Sequence, residues 1–300
     1  MIIVVVKLNN IHKKIGTKHI LNGISFTVNK GDIVAVVGPN GAGKTSLFKA
    51  IGGLIEPDEG TVLINGVAQS NQVNSDVLFL PDSSMLYTEL TGYEHLEFIA
   101  KIHKTSNQII EAVINQIGIK KYVNEKIRNY SLGMKQHLLL AIALIARPSL
   151  IIFDEPLNGL DPSSIKMFRR IIKELKADGS TIIFSSHILA EVDKVADRII
   201  FIDAGRTVQE VNVSDSKIER AYIFELESPS NDIFSLFKNK EFNIDKFQLQ
   251  ENRLLVRLER EQLTPFLGVL LENNIILNEI TNVKGETDNI YHELYGEKNE

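Results

Sequence analysis

Two kinds of apolar spacing alternate along this chain. Ile33 to Val37, Leu150 to Phe153 and Thr181 to Phe184 are short, nearly continuous apolar runs, the pattern of parallel strands buried on both faces. Ile2 to Leu8, Ile20 to Val28 and Val77 to Leu80 also read as strands, and Thr61 to Gly66 reads as a strand ending in a turn. From Thr91 to Ile119, by contrast, Leu96, Ile99, Ile102, Ile109, Ile110, Val113, Ile114 and Ile117 recur at helical spacing, broken by the polar Thr105-Ser106-Asn107. A helical insert therefore follows the first strands. Leu138 to Ala146 is apolar throughout and stops at Arg147-Pro148, which predicts a helix buried on every side. These elements make an α/β core.

The rhythm changes after Asp203-Ala204-Gly205-Arg206 and the strand that follows it. A charged, polar connection from Val213 to Arg220 leads to a strand at Tyr222 to Leu226 and a helix at Asp232 to Phe237. A hairpin of Lys246 to Gln250 and Leu254 to Leu258 turns at Glu251-Asn252; a helix over Gln262 to Glu272 and a strand over Ile275 to Val283 follow. This β-α-β-β-α-β order predicts a small α+β domain of ferredoxin-like type, closed by a helix through Ile290 to Leu294. The expected domains are residues 1–212 and 221–300.

A length of 300 residues suits two domains, the second smaller. The net charge of -5 and the absence of a long Lys/Arg block argue against nucleic acid as the main partner. With no cysteine there is no disulfide, zinc–thiolate site or thiol nucleophile. No segment reaches the roughly 18 to 20 apolar residues of a membrane helix, and Met1 to Val6 is too short for a signal-peptide core.

Candidate chemistry sits at the strand ends. Gly38-Pro39-Asn40-Gly41-Ala42-Gly43-Lys44-Thr45 matches the phosphate-loop pattern at every defined position, with a strand before it and a helix beginning at Ser46. Backbone amides of Gly38 and Asn40 through Ser46 would close on phosphate oxygens, Lys44 would reach the outer phosphates, and Thr45 would ligate Mg²⁺. Asp154-Glu155-Pro156 follows the second strand, where Asp154 is placed to hold Mg²⁺ through water. Glu155 either polarises a water or is a solvated loop carboxylate. His187, ending Ser185-Ser186-His187 after the third strand, serves catalysis or a structural hydrogen bond.

Asn129-Tyr130-Ser131-Leu132-Gly133-Met134-Lys135-Gln136 adds a third feature. Ser131 is a good helix N-cap, and that helix start is itself suited to an anion. In order, the phosphate loop, this segment, Asp154-Glu155, Asn158-Gly159-Leu160-Asp161 and His187 resemble the ATP-binding subunits of ABC transporters over about two thirds of the chain. The resemblance implies a P-loop ATPase of ABC type with a helical insert, whose cofactors are ATP and Mg²⁺. It implies that two subunits, a second copy or a paralogue, close head to tail over two ATP molecules. Ser131 and Gly133 would then cap the γ-phosphate bound by the partner, Asp161 would communicate across the dimer, Glu155 would be the general base, and His187 would align phosphate and water.

This chain departs from the family pattern in places. Leu132 and Met134 replace a Gly and the Gln of the usual Leu-Ser-Gly-Gly-Gln signature. Asp82 stands where a metal-sensing Gln is expected, and Ile15 where an aromatic residue usually stacks on adenine. The signature variant resembles the bacitracin-resistance and lantibiotic-immunity branch, which implies export through a separate integral membrane permease. The subunit would then be cytoplasmic, held peripherally on the inner face of the cell membrane. The segment Asp82 to Lys104, including Leu86, Tyr87 and Tyr93, is where such subunits meet the permease; ordinary packing within the insert is the alternative. A soluble ABC ATPase clamping ribosomes or nucleic acid is the other class of function, disfavoured by the single ATPase domain and the acidic charge. A GTPase switch is poorer, because Asn-Lys-x-Asp is absent.

Overall fold

The protein is described here by a computed structural model, covering residues 3–69, 76–81, 85–213, 219–227, 233–237, 242–243, 247–282 and 286–295. The chain divides into two compact units, Met1–Asn212 and Val213–Glu300.

In the first unit, β1 (Val4–Ile15), β2 (Lys18–Asn29) and β3 (Ile33–Val37) precede α1 (Lys44–Ile51). Next come β4 (Glu59–Ile64), β5 (Val67–Ala68) and β6 (Val77–Leu80), then the insert helices α2 (Gly92–Ile102), α3 (Asn107–Ile117) and α4 (Leu132–Ala146). β7 (Leu150–Phe153), α5 (Pro162–Ala177), β8 (Thr181–Ser185), α6 (Leu189–Val195), β9 (Arg198–Asp203) and β10 (Arg206–Asn212) complete it.

The central sheet has six strands in the order β10-β9-β3-β8-β7-β6. β9, β3, β8, β7 and β6 run parallel, and β10 returns antiparallel at one edge. Every residue of β3, β7 and β8 is buried, as their unbroken apolar runs require of strands covered on both faces. β8 and β7 lie on one side of β3 and β9 on the other, so the chain leaving β3 emerges at the place where an open parallel sheet binds ligands. A separate antiparallel sheet, β2-β1-β4-β5, covers α1: Val6, Leu8, Ile24 and Val62 share a core with Leu47, Phe48 and Ile51 of that helix. On the opposite face, Phe168 of α5 packs edge-on against Phe153 of β7 and Phe184 of β8.

β1 runs farther than its hydrophobic pattern predicts. Asn9-Asn10 reads as the end of a strand, yet pairing with β2 continues to Ile15 through irregular register at Leu8/Ile11. Asn10 takes φ 51° and its N–H donates to Ser25 Oγ at 2.8 Å, so the polar pair forms a bulge rather than a boundary. The insert follows the predicted break: Thr91 and Ser106 stand at the N-caps of α2 and α3. All of Leu138 to Ala146 in α4 is buried.

The second unit contains β11 (Glu219–Leu226), β12 (Phe247–Gln250), β13 (Arg253–Glu259), α7 (Leu263–Glu272), β14 (Leu277–Asn282) and α8 (Glu286–Tyr295). Its sheet is antiparallel in the order β12-β13-β11-β14, which is the ferredoxin-like arrangement. The first predicted helix is a 3-10 turn over Ile233–Phe237, and the predicted Asp232 start lies outside the described residues. Phe237 stacks on Phe266 of α7 with ring centroids 4.4 Å apart, so that short turn closes the core.

Candidate active site

The site is built on the carboxyl ends of β3, β7 and β8. Gly38 leaves β3 so close to β9 that a Cβ there would collide with the backbone oxygen of Ile202. Gly41 and Gly43 adopt φ 80° and 106°, a region that favours glycine, and Gly43 caps α1 without a side-chain hydrogen bond. The first-turn amides of α1 thus meet no capping side chain, as anion binding at a helix start requires. Lys44 folds back along the loop, its buried ammonium donating to Gly38 O at 2.7 Å and Pro39 O at 3.3 Å. Burial lowers its pKa, against the pull of Glu155 and Asp154.

Asp154, 8 % exposed, lies at the end of β7. Its Oδ2 accepts the Thr45 hydroxyl at 2.6 Å and its Oδ1 accepts the Ser185 hydroxyl at 2.7 Å. Ser185 Oγ in turn accepts the Glu155 N–H at 2.8 Å, so one hydroxyl from β8 fixes both carboxylate residues. Glu155 adopts φ 51°, a costly conformation for a non-glycine residue that concentrates at functional sites. This turns its side chain toward Nε2 of His187, 3.0 Å from Oε1, and Nζ of Lys44, 3.8 Å away. Glu155 Oε1 is buried, and neither approach is aligned as a hydrogen bond. Burial raises the Glu155 pKa, with Lys44 opposing, while burial and Lys44 together lower that of His187. A more basic carboxylate beside a neutral imidazole suits proton removal from water.

These groups surround a cavity of about 440 Å³ lined by Asn40 to Ser46 of the loop, Asp154, Glu155, Asn158, His187, Lys18 and Ile20. The structure therefore brings together Asn40, Gly41, Ala42, Gly43, Lys44, Thr45, Ser46, Asp154, Glu155 and His187, with Gly38 beneath Lys44. Ile15 is not among the lining residues; it is exposed at the end of β1, opposite Lys18 in the hairpin. Lys18 and Ile20 were not singled out from sequence, and Asn158 and Ser185 were named only within Asn158-Gly159-Leu160-Asp161 and Ser185-Ser186-His187, with no role of their own. The strand-end position of Ser185, two residues before His187, is the one signal that could have found it. Asp82 lies outside the described residues.

Ser131, Gly133 and Asp161 are not at the cavity either. Ser131 caps α4, accepting the Met134 N–H at 3.2 Å. Asp161 caps α5, accepting the Ser163 and Ser164 amides at 2.8 and 2.9 Å.

A family model described as "ABC transporter" matches residues 21–158. The bacitracin transport ATP-binding protein BcrA of Enterococcus faecalis is 30% identical over 97% of this chain and 96% of its own. The lantibiotic transport ATP-binding protein SrtF of Streptococcus pyogenes is 36% identical over 70% of this chain and 92% of its own. The chain belongs to the ATP-binding proteins of ABC transporters. A solved ATP-binding subunit of an ABC transporter, 30% identical, superposes with a TM-score of 0.66 over 71% of this chain and 92% of its own. This ATPase thus binds and hydrolyses ATP as its family does. Among its described residues no helix is long and apolar enough to cross a membrane.

Proposed function

We propose that this ATPase closes head to tail with a second copy or a paralogue over two ATP molecules, and thereby drives export through a separate membrane permease. The observation that carries the reading is the convergence of Lys44, Glu155 and His187, from three strand ends, on one cavity. The loop amides and Lys44 hold the β- and γ-phosphates, Glu155 takes the proton of the attacking water, and neutral His187 orients that water against the γ-phosphate. Thr45 and Asp154 fit Mg²⁺: a hydroxyl and a carboxylate, joined here by a hydrogen bond, are the hard oxygen donors that cation prefers, Thr45 directly and Asp154 through water. When bound, Mg²⁺ neutralises charge on the phosphates. Ser131 and Gly133, away from their own cavity, serve the partner's nucleotide.

Support for a permease partner lies on α2. His95, Phe98 and Ile102 fall on one helical face, Phe98 and Ile102 are each 55% exposed, and Tyr87 stacks over His95. Met85, Tyr87 and Leu90 are exposed beside it, Tyr93 is half-buried, and Leu86 turns inward. Such an apolar stripe on a helix suits a protein interface. Export follows the transport named for BcrA and SrtF.

The test is to express the chain with its neighbouring genes, extract membranes in detergent and purify it. A multi-span protein at fixed stoichiometry, with ATPase activity lost in Lys44→Ala, is expected. Sedimentation with ribosomes or nucleic acid instead would replace transport by a clamp.

A further inference from the structure

The hairpin turn between β9 and β10 reaches back to the phosphate loop. Gly205 N–H donates to Ala42 O at 2.9 Å, and Gly205 O accepts the Asn22 N–H of β2 at 2.7 Å. Arg206 adds a second tie to β2: its Nε and Nη2 each lie 3.1 Å from the Asn22 side-chain oxygen, in the orientation that satisfies both atoms of that amide. The junction leaves no room for side chains. A Cβ on Gly205, which is buried at φ 74°, would collide with Ile20 O, and one on Gly43 would stand 2.8 Å from the same oxygen and 3.7 Å from Gly205 Cα. Loop, turn and β2 thus meet backbone to backbone, beside the cavity that Ile20, Ala42 and Gly43 line. The bond to Ala42 also sets a direction. In a planar trans peptide the carbonyl and the N–H that follows it point in opposite directions. With Ala42 O fixed on the turn, the Gly43 N–H is aimed away from the turn; Gly43 lines the cavity and Gly205 does not.

We infer that Gly205 is a positioning residue for nucleotide binding: by holding Ala42 O, its N–H presents the Gly43 amide to a phosphate oxygen. The inference rests on the reading that the loop amides hold phosphate, and adds to it a group from a turn at the other end of the same unit. A peptide plane free to rotate would spend part of its time with the carbonyl oxygen toward the anion, which repels it. The turn removes that alternative before the nucleotide arrives, so its ordering is not charged to binding. Gly205 therefore acts through Gly43 and touches no reacting atom. A phosphate oxygen common to ATP and ADP is held alike before and during hydrolysis. Loss of the tie should weaken binding of both nucleotides rather than slow the chemical step.

The Kd for ATP and for ADP, KM, kcat and the melting temperature are measured for wild type, Gly205→Ala, Lys44→Ala and a chain carrying glycolic acid at position 205. Glycolic acid replaces the N–H by an ester oxygen and adds no Cβ. It should raise KM and both Kd values about tenfold, the scale of one hydrogen bond to a charged group, with kcat within about threefold of wild type. Gly205→Ala should raise them at least as far, because its Cβ displaces the turn from Ile20. If Gly205→Ala fails to fold, the glycolic acid chain carries the test. A merely structural role would lower the melting temperature and the active fraction while leaving KM and Kd of the folded fraction unchanged, and that result overturns the inference. A fall in kcat at unchanged KM overturns it as well. Lys44→Ala separates the two readings. If it weakens nucleotide binding while the position-205 variants do not, only the positioning role falls; if Lys44→Ala also binds both nucleotides as wild type does, the phosphate-loop reading falls too.

Discussion

Glu155 concentrates the local costs of this site: a positive φ, a buried Oε1 and two basic neighbours. Glu155→Gln keeps the shape and removes the base. It should retain ATP while hydrolysis falls by about 10²- to 10⁴-fold, leaving a nucleotide-locked dimer visible by size exclusion; near-normal turnover would remove Glu155 from the role. The sign of the pH dependence follows from burial. Glu155 has its pKa raised above 4.5, and only its ionised form accepts a proton, so activity should fall on acidification at a higher pH than an ordinary glutamate would give. Burial and Lys44 lower the His187 pKa below 6.5, so its imidazole is neutral at pH 7. A pH profile of kcat/KM whose acid limb sat at or below 4.5 would contradict this. Gly38→Ala tests the backbone fit, since its Cβ would meet the Ile202 carbonyl. A loss of stability above about 2 kcal/mol, read by denaturant unfolding, is expected from such overpacking against backbone. The phosphate loop was legible because its chemistry is carried by contiguous residues. Ser185 was not, because its role depends on β8 lying beside β7, 31 residues away from Asp154 in sequence.

Among the elements, α2 joins a strong local signal to an exposed apolar stripe. Thr91 and Glu94 form a reciprocal capping box, with Glu94 N–H donating to Thr91 Oγ1 and Thr91 N–H to Glu94 Oε2. Thr91→Ala should cost about 0.5–2 kcal/mol, measured as a shift in the denaturant midpoint. His95 accepts the Tyr87 N–H at Nε2 and donates from Nδ1 to Thr91 O, holding the preceding loop against the helix. Phe98→Asp and Ile102→Asp should leave melting and basal ATPase near wild type while abolishing copurification of a membrane partner; retained copurification would place the permease elsewhere. Helical spacing located this insert, but only burial distinguished Leu86, inside, from Tyr87, outside. The underestimate of β1 has the opposite origin. Asn9-Asn10 is a valid local stop signal, overridden by pairing with β2 and by Ser25.

At the scale of the molecule, two hydrophobic clusters of the described residues share no member. One joins β1–β4, α1 and the central sheet, and the other joins β11–β13, the Ile233–Phe237 turn and α7. Calorimetry should accordingly resolve two transitions, of which only that of residues 1–212 rises with ATP and Mg²⁺, as mass action requires for the unit that binds ligand. A single transition, or a shift of both, would show that the C-terminal unit takes part in the nucleotide response. The sequence alone determined the α/β class, the helical insert, the ferredoxin-like sequel and the phosphate loop, because those follow from local periodicity and contiguous motifs. Tertiary structure alone decided that Ser185 fixes both carboxylates, that Lys18 and Ile20 line the cavity while Ile15 lies across the hairpin, and that the turn at Gly205 meets the phosphate loop. Each of those facts depends on the register of distant segments, which pairing and packing set and local sequence does not encode.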